Sequence, residues 1–427
     1  MLTFSDVADS HQPLKSKART KPRILFVAEA VTLCHVTRPL VLAEGLDPEE
    51  YDVHFACCES KRNLVENESR RFHPIDCVGN ESFIQNLSDG RPAFSKETLV
   101  GYVEQDLELL ESVRPDLVIG DMRLSLAISA RKLGVPYWTL TNAYWSPYAN
   151  QPWVVPELPV TRLIGPTIAN PFFKVFRRPA FAMHCRPLNQ ASAYCSGKPL
   201  GYNLEKMYTD ADQVLYADAP GLVPTNGLPH THHYLGPILW SSPGAMPDKW
   251  KTMDPARKTV FVTLGSSGPV RLLATLVSSL ANADPKINVL VATSGRFVLD
   301  KSIRDRPNVL VADYLPAEEA SKHSDLVICH GGSASAYVAL ASETPVLGIP
   351  SILDQHLTIE YIRNSGAGES LRAEFANESR IVSMTQQILG DESYANAARQ
   401  LAKEFSSLNP SERFRHLLER SPAVMKT

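Results

Sequence analysis

Short apolar runs rich in β-branched residues recur along the whole chain, and each is followed by a turn residue and then by sequence with a helical period. This alternation is typical of βα units built around a parallel sheet. It predicts an α/β fold made of doubly wound parallel sheets. The runs are residues 24–27, 53–56, 116–119 and 137–140, followed by 260–264, 289–292, 309–311, 325–329 and 346–349.

The runs fall into two groups, and a polar, turn-rich stretch separates them. A further run at 234–239 closes the first group. A chain of 427 residues exceeds the roughly 300 residues that one core usually reaches, so more than one domain is expected. We predict a flexible tail at 1–20, a Rossmann-like domain at 21–239, a linker at 240–258, a second Rossmann-like domain at 259–402, and a C-terminal helix at 403–427 that crosses back to the first domain.

Charge and cysteine content exclude several classes of protein. The chain has 43 Lys and Arg against 46 Asp and Glu, for a net charge of −3, so it lacks the basic excess of a general nucleic-acid binder. No run approaches the roughly 18 apolar residues of a membrane span, and the first residues lack a signal peptide's apolar region, so we expect a cytoplasmic protein. The odd count of seven cysteines suits a reducing compartment, and the adjacent Cys57 and Cys58 indicate a strand end rather than a metal site.

Two polar residues follow strands of the first group and form a candidate catalytic pair. His35 lies beyond the first strand, near the start of a helix whose first turn includes Pro39, and Asp121 directly follows the strand ending at Gly120. Such strand ends bind ligands in doubly wound sheets. The carboxylate would fix the imidazole tautomer, and the helix start would hold the ring neutral as a base. The alternative is a structural histidine and a helix-capping aspartate.

Two glycine loops follow strands of the second group. The first is Gly265-Ser266-Ser267-Gly268, and the second is His330-Gly331-Gly332-Ser333-Ala334-Ser335. Free amides at a helix start bind anions, and two such loops facing one cleft suit a diphosphate. The alternative for the second loop is a tight turn with Ser333 as the helix N-cap. Neither loop has the spacing of an ATPase phosphate loop.

The second loop belongs to a longer motif that resembles a known family signature. The motif is Tyr314-Leu-Pro316, then the loop from His330 to Ser335, then Pro345-Val-Leu-Gly-Ile-Pro350, then Asp354-Gln355. It resembles the donor-binding signature of the GT-B glycosyltransferases, and more narrowly the family-1 uridine-diphosphate glycosyltransferases with their bacterial macrolide and carotenoid branches. Together with the first-half histidine and aspartate, the likeness covers most of residues 22–402.

The resemblance implies an inverting transferase that moves a sugar from a nucleotide diphosphate, UDP by expectation, to a hydroxyl of a small hydrophobic or aromatic acceptor. It implies an acceptor-binding first domain and a donor-binding second domain facing a cleft, with no metal or other cofactor. His35 matches the catalytic base and Asp121 its partner. It implies donor contacts from Ser266, His330, Gly332 and Ser335 on the diphosphate, from Tyr314 on the nucleobase, and from Asp354 and Gln355 on the sugar. We also predict that Gly265 and Ser333 of the two glycine loops bind the donor. For the acceptor we predict Tyr144, Trp145 and Tyr148.

Three positions depart from the family pattern. Cys34 stands where many members have the glycine of a Gly-His pair, Val338 replaces an acidic residue that holds the ribose, and Ala317 replaces a common glutamine. The nucleotide is therefore left open between uridine diphosphate, thymidine diphosphate and another nucleoside diphosphate. Glu360, one turn after the sugar-binding pair, is a hypothetical substitute for the missing ribose carboxylate.

Several alternatives stay open on sequence grounds. A hydrolysing sugar-nucleotide 2-epimerase or a non-catalytic nucleotide-sugar-binding protein would share the architecture. We assign no metal site to the loop histidines His230, His232 and His233, because a site needs further ligands at a workable geometry. Lys174, Arg177 and Arg178 among phenylalanines leave open a peripheral contact with a membrane or a lipid acceptor, and the oligomeric state stays undetermined.

Overall fold

A computed structural model describes residues 21–283 and 287–425. The predicted tail at 1–20 lies outside these residues. Within them, no helix combines the length and apolarity that a bilayer span requires.

The first domain is built on a seven-stranded, fully parallel sheet with the order β3-β2-β1-β4-β5-β6-β7. The strands β1, β2, β4 and β5 are almost wholly buried, as strands covered by helices on both faces must be. Its strands are β1 (Arg23–Ala28), β2 (Asp52–Cys57), β3 (Arg70–Pro74), β4 (Leu117–Asp121), β5 (Tyr137–Thr141), β6 (Gln213–Tyr216) and β7 (His232–Tyr234).

The second domain is built on a six-stranded parallel sheet with the order β10-β9-β8-β11-β12-β13. In both sheets the order in which strands are added reverses next to the first strand, between β1 and β4 in one sheet and between β8 and β11 in the other. Ligands bind at such switch points. The strands are β8 (Lys258–Thr263), β9 (Ile287–Ala292), β10 (Val309–Ala312), β11 (Leu326–Cys329), β12 (Val346–Gly348) and β13 (Gly368–Ser370).

Helices cover both faces of each sheet. In the first half they are α1 (Cys34–Glu44), α2 (Arg62–Val65), α3 (Asn80–Ser88), α4 (Lys96–Val113), α5 (Leu126–Leu133), α6 (Pro159–Ile164), α7 (Pro166–Ser196) and α8 (Leu204–Tyr208). In the second half they are α9 (Leu273–Ala283), α10 (Lys301–Arg304), α11 (Ala317–Lys322), α12 (Ser333–Ala341), α13 (Leu353–Asn364), α14 (Glu378–Gly390), α15 (Glu392–Ser406) and α16 (Pro410–Glu419).

The chain returns to the first domain at its C-terminal end. Helix α15 runs through the predicted boundary at 402 and packs on α12, where the rings of Tyr337 and Phe405 lie 5.7 Å apart. Helix α16 then packs against the first sheet, because the Phe414 ring lies 5.9 Å from Phe26 and 6.3 Å from Trp138. The last helix therefore ties the two domains together.

All nine predicted βα strands are present, and the α/β prediction is confirmed. The run at 234–239 was predicted as one strand, but β7 ends at Tyr234 and the residues that follow are irregular. Three strands were missed. Among them, β3 and β13 lie at sheet edges, where polar side chains replace the apolar run that marks a buried strand.

Candidate active site

A cavity of about 500 Å³ lies between the two domains, at the switch points of both sheets. This volume suits a ligand the size of a nucleotide sugar or a drug-like acceptor. The β1–α1 loop and the end of β4 line it from the first domain, and the two glycine loops line it from the second. Because parallel strands present their carboxyl ends at one edge, the predicted residues of each domain are brought to one side of the cavity.

His35 and Asp121 are in contact. The His35 Nδ1 lies 2.7 Å from Asp121 Oδ1, the Asp121 carboxylate is fully buried, and the His35 side chain is 19% exposed. The aspartate is held by register, because Ala28 at the end of β1 pairs with Asp121 at the end of β4. An ionised Asp121 accepts the Nδ1–H, which leaves the Nε2 lone pair of His35 free to take a proton.

Arg38 is a third member of this group, and the sequence argument missed it. Its Nη2 donates to Asp121 Oδ1 at 2.7 Å, and its Nε donates to Oδ2 at 2.9 Å. Arg38 lies one helical turn after His35, so both face the same carboxylate. The i, i+3 spacing was the available signal.

A chain of buried hydrogen bonds continues from Arg38 into the second domain. Arg38 Nη1 donates to Asn142 Oδ1 at 2.6 Å, and Asn142 Nδ2 donates to Asp218 Oδ1 at 3.0 Å. The hydroxyl of Tyr337, on α12, donates to the same oxygen. Burial raises the pKa of Asp218. The network links the group around His35 to the helix that begins at the second glycine loop.

The start of α1 differs from the prediction in one detail. Pro39 is the sixth residue of the helix rather than part of its first turn. A proline there removes the bond to the carbonyl four residues earlier, which is that of His35. Cys34 is not among the residues with positive φ in the described chain, so it replaces the family's glycine without backbone strain.

His330 occupies a cradle of glycines. A Cβ added at Gly265 would lie 2.7 Å from His330 Cε1, and one added at Gly332 would lie 2.5 Å from His330 Nε2. At Gly268 the added atom would lie 2.6 Å from His330 Cβ. Gly265 also has a φ of +55°, which favours glycine. Both glycine loops are therefore built around this imidazole.

The electrostatics of this cradle favour a neutral ring in the free protein. Burial, and then the positive charge of Arg296, lower the pKa of His330 to about 4. Its Nδ1 is buried without a hydrogen-bond partner. Arg296 is held close by bonds from its Nη1 to the carbonyls of Gly265, at 3.1 Å, and Gly268, at 3.3 Å. A negatively charged ligand beside His330 would stabilise the imidazolium and so raise the pKa of the ring.

The alternative reading of Ser333 as a helix cap is wrong. The N-cap of α12 is Gly332, which has no side chain to bond the first amides, and Ser333 is the first helical residue. The first amides of this nine-residue helix therefore lack a side-chain acceptor. Ser333 and Ser335 both line the cavity beside them. The arrangement suits an anion.

Ser266 lies at the boundary between the two domains, and Tyr314 lies at the rim of the cavity. The Leu33 amide, in the loop before His35, donates to Ser266 Oγ at 3.3 Å across the two domains. Tyr314 follows β10, lines the cavity and is 63% exposed. Its hydroxyl donates to the Ser294 carbonyl at 3.4 Å. The ring face is available to a flat ligand.

Asp354 and Gln355 open α13 and line the cavity. Gln355 is almost fully buried, and its Oε1 accepts bonds from the Ser351 and Ile352 amides, so this part of the side chain serves the helix start. Asp354 Oδ1 accepts from Tyr144 Oη and from Trp145 Nε1, both at 3.0 Å. Two aromatic residues of the first domain thus bind the predicted sugar-binding residue.

Of the three predicted acceptor residues, the structure places only one on the cavity. Trp145 lines the cavity, but Tyr144 is fully buried behind it and Tyr148 packs edge-on against His232 at 5.3 Å. Neither tyrosine borders the cavity, because their chain segment turns toward β6 and β7. The apolar wall instead comes from α3, α4, the loop between them and α7, with Phe83, Phe94, Leu99, Phe173, Phe181 and Met183.

The Glu360 hypothesis is also wrong. Its carboxylate pairs with Arg363 at 2.7 Å, and Glu360 does not line the cavity. Six residues along a helix rotate a side chain by about 240°, which turns Glu360 away from the side that Asp354 occupies. Val338 does line the cavity. Trp240, assigned to the linker, lines it as well, and the sequence argument overlooked it because the surrounding residues are polar.

The cysteine pair has a third member. Cys77 joins Cys57 and Cys58, and their sulfur atoms all lie within 4.8 Å of one another. The sequence places Cys57 and Cys58 at a strand end but does not indicate this grouping, because Cys77 follows β3, an edge strand without an apolar run. Two of the three histidines predicted in a loop, His232 and His233, instead lie on β7. Their side chains contact β6: Tyr216 Oη lies 2.6 Å from His232 Nδ1, and Gln213 Oε1 lies 2.7 Å from His233 Nε2.

Comparison with known proteins agrees with this fold. Residues 274–419 match the family model described as the C-terminal domain of erythromycin biosynthesis protein CIII-like proteins. A PGL/p-HBAD biosynthesis rhamnosyltransferase of Mycobacterium bovis is 42% identical over 389 residues, which cover 91% of this chain and 85% of the relative. A PGL/p-HBAD biosynthesis glycosyltransferase of Mycobacterium tuberculosis is 42% identical over 386 residues, or 90% and 89% of the two chains.

Solved structures share the two-domain architecture. The glycosyltransferase of kitacinnamycin is 21% identical, with a TM-score of 0.68 over 94% of this chain and 99% of that one. Spinosyn rhamnosyltransferase is 20% identical, with a TM-score of 0.66 over 94% and 100%; it has also been solved with thymidine diphosphate and with spinosyn aglycone. Two wound domains around one cavity define the GT-B class. The chain belongs to the GT-B glycosyltransferases, in the family that contains the mycobacterial PGL/p-HBAD enzymes.

Proposed function

We propose that this glycosyltransferase moves a sugar from a pyrimidine nucleoside diphosphate to a hydroxyl group of an apolar acceptor, with inversion at the anomeric carbon. The observation that carries the proposal is the pairing of His35 and Asp121 across one cavity from the His330 cradle and the start of α12. One side offers a base, and the other offers groups that bind a diphosphate.

In the reaction that we propose, the acceptor oxygen attacks the anomeric carbon as His35 Nε2 takes its proton. The bond from that carbon to the diphosphate oxygen breaks, and the diphosphate leaves with the electron pair. Asp121 is a positioning residue that stabilises the resulting imidazolium. His330 and the amides of α12 stabilise the leaving group, and we propose that no metal is required.

Three observations bear on the donor. The Mycobacterium bovis relative is named a rhamnosyltransferase, and the spinosyn enzyme was solved with thymidine diphosphate. Val338 lines the cavity where the family resemblance places a ribose-binding acid. The valine side chain cannot accept a hydrogen bond from a ribose 2′-hydroxyl. Rhamnose linked to thymidine or uridine diphosphate is therefore the first donor to test.

A thermal-shift screen tests the donor class. Ligand at 100 times its Kd adds about 2.7 kcal/mol of stability, so the thymidine and uridine diphosphate sugars should raise Tm, whereas a guanosine diphosphate sugar should raise it less. His330→Ala should lose most of the shift, and His35→Ala should keep it. Equal shifts for all nucleotides, or none, would contradict the proposed donor class.

A further inference from the structure

Helix α6 and the first half of α7 expose a continuous set of large apolar side chains. Leu163 is 86% exposed and Val175 is 70% exposed. Exposed apolar patches of this kind mark interaction surfaces in soluble proteins. We call this set the α6–α7 face; it consists of Val160, Leu163, Ile164, Ile168, Phe172, Val175, Phe176 and Met183.

The helical positions show that this face points away from the core. Ile168, Phe172, Val175 and Phe176 follow the spacing i, i+4, i+7 and i+8, so they share one side of α7. The buried residues Phe181, Cys185 and Leu188 lie on the opposite side. The helix therefore carries two apolar sides, and the protein itself covers one of them.

All charged residues in the chain segment that contains the face are basic. No Asp or Glu occurs between Glu157 and Glu205, although the whole chain has 46 acidic residues and a net charge of −3. Lys174, Arg178 and Arg186 are exposed. Arg162 of α6 pairs with Glu157 at 3.0 Å, which leaves the basic residues of α7 as the charges beside the face. An exposed apolar helical face with basic residues beside it is the pattern of a helix that lies in the surface of an anionic membrane. The basic residues of this stretch are Arg162, Lys174, Arg177, Arg178, Arg186 and Lys198.

The same helix borders the active-site cavity. Phe173, Ala180, Met183 and His184 of α7 line the cavity, and Met183 is also 47% exposed on the α6–α7 face. The apolar part of the cavity and the apolar outer face therefore meet at Met183. An apolar molecule could pass from one to the other without crossing a polar surface.

We propose that the α6–α7 face docks this glycosyltransferase on an anionic lipid bilayer, with α7 lying in the interfacial plane. The apolar side chains enter the acyl boundary, and Lys174 and Arg178 contact the headgroups. A second step rests on the proposed function: an acceptor held in the bilayer enters the cavity beside Met183. Docking itself requires no turnover and is tested without substrate.

Co-sedimentation of the full chain with vesicles tests the docking. Vesicles of phosphatidylcholine with phosphatidylglycerol should bind the protein, and vesicles of phosphatidylcholine alone should bind it several-fold more weakly. Phe172→Ser with Phe176→Ser should lower the partition constant at least about tenfold, since each side chain loses its apolar burial. Val298→Ser is the matched control, because Val298 is 83% exposed in the second domain, and it should bind like the parent.

The charge contribution has its own variant. Lys174→Gln with Arg178→Gln should lower binding to the anionic vesicles roughly 25-fold, about fivefold for each charge, and raised salt should reproduce part of that loss. Circular dichroism should show unchanged folding for both pairs, because all four side chains are exposed. Absence of vesicle binding by the parent would overturn the proposal. So would parent self-association, seen by sedimentation velocity, that the phenylalanine pair abolishes.

Loss of docking and loss of the proposed function are distinguishable. If the phenylalanine pair abolishes vesicle binding but keeps the donor thermal shift, the membrane inference stands on its own. If the parent binds vesicles but shows no donor shift, docking is supported and the proposed function fails.

Discussion

His35 and His330 face one cavity from opposite domains, and their neighbours give them different capacities. His35 contacts a buried carboxylate through Nδ1, which prepares Nε2 to accept a proton. His330 is buried with an unpartnered Nδ1 near Arg296. The first arrangement suits a base, and the second suits a group that gains a proton when an anion arrives.

Donor binding should therefore take up a proton at His330. Its pKa is about 4 in the free protein, so the ring is neutral at about pH 6, and a bound diphosphate should raise that pKa. Affinity should then strengthen as pH falls toward that value. Calorimetry in buffers of different ionisation enthalpy measures the uptake, which should disappear in His330→Asn. Binding without proton uptake by the parent would show that His330 acts only as a neutral hydrogen-bond donor.

At the scale of elements, the two glycine loops depend on each other through the His330 ring. Gly265→Ala would add a Cβ 2.7 Å from His330 Cε1 at a φ of +55°. We expect donor affinity to fall at least about tenfold, because a displaced ring loses a hydrogen bond to a charged group. Isothermal titration measures this loss.

Gly295→Ala is the matched control for backbone strain. Gly295 has a φ of +67°, and an added Cβ would have nothing within 4 Å. Both variants should lose about 1–2 kcal/mol of stability from the left-handed conformation, but only Gly265→Ala should lose donor affinity. Equal affinity losses would assign the effect to strain rather than to His330.

A buried ion network joins the residue after β1 to α4 and to the loop before α5, behind the active site. Arg123 pairs with Glu29 at 2.9 Å and with Asp106 at 3.0 Å, and all three side chains are fully buried. Burial raises the pKa of Glu29 to about 7 and also raises that of Asp106. A single cation between two buried carboxylates favours protonation of one of them.

Arg123→Met should destabilise the protein by about 3–5 kcal/mol, since it leaves two buried carboxylates without their cation. Arg131→Met, which removes a half-exposed pair with Asp210, should cost at most about 1 kcal/mol. Urea unfolding measures both. The Arg123→Met loss should be largest above pH 7 and should shrink as pH falls through 7, because Glu29, whose pKa is about 7 beside the arginine, then becomes neutral in both proteins. A pH-independent loss would contradict a charge-based role.

At the scale of the whole molecule, the chain order explains which features the sequence could predict. Buried strands such as β1 and β8 are unbroken apolar runs, and the polar residues after them are conspicuous. Arg38, Asn142 and Asp218 carry no such mark, because their partners lie far along the chain. Trp240 was hidden within a polar linker. Pairing across the domains depends on tertiary packing that no local pattern records.

The two domains are joined by more than the linker. Helix α16 returns to the first sheet, Leu33 bonds to Ser266, and Tyr337 bonds to Asp218. These contacts place the His35 group and the His330 cradle on the same cavity. The central claim is that the first group deprotonates the acceptor while the second holds the donor.

The most direct test is the transfer rate of His35→Ala at saturating donor, with donor affinity measured calorimetrically on the same preparations. We predict that kcat falls about 10²–10⁴-fold, equal to roughly 3–5 kcal/mol of barrier, while the donor Kd is unchanged. A His35→Ala protein with near-normal kcat would contradict the account.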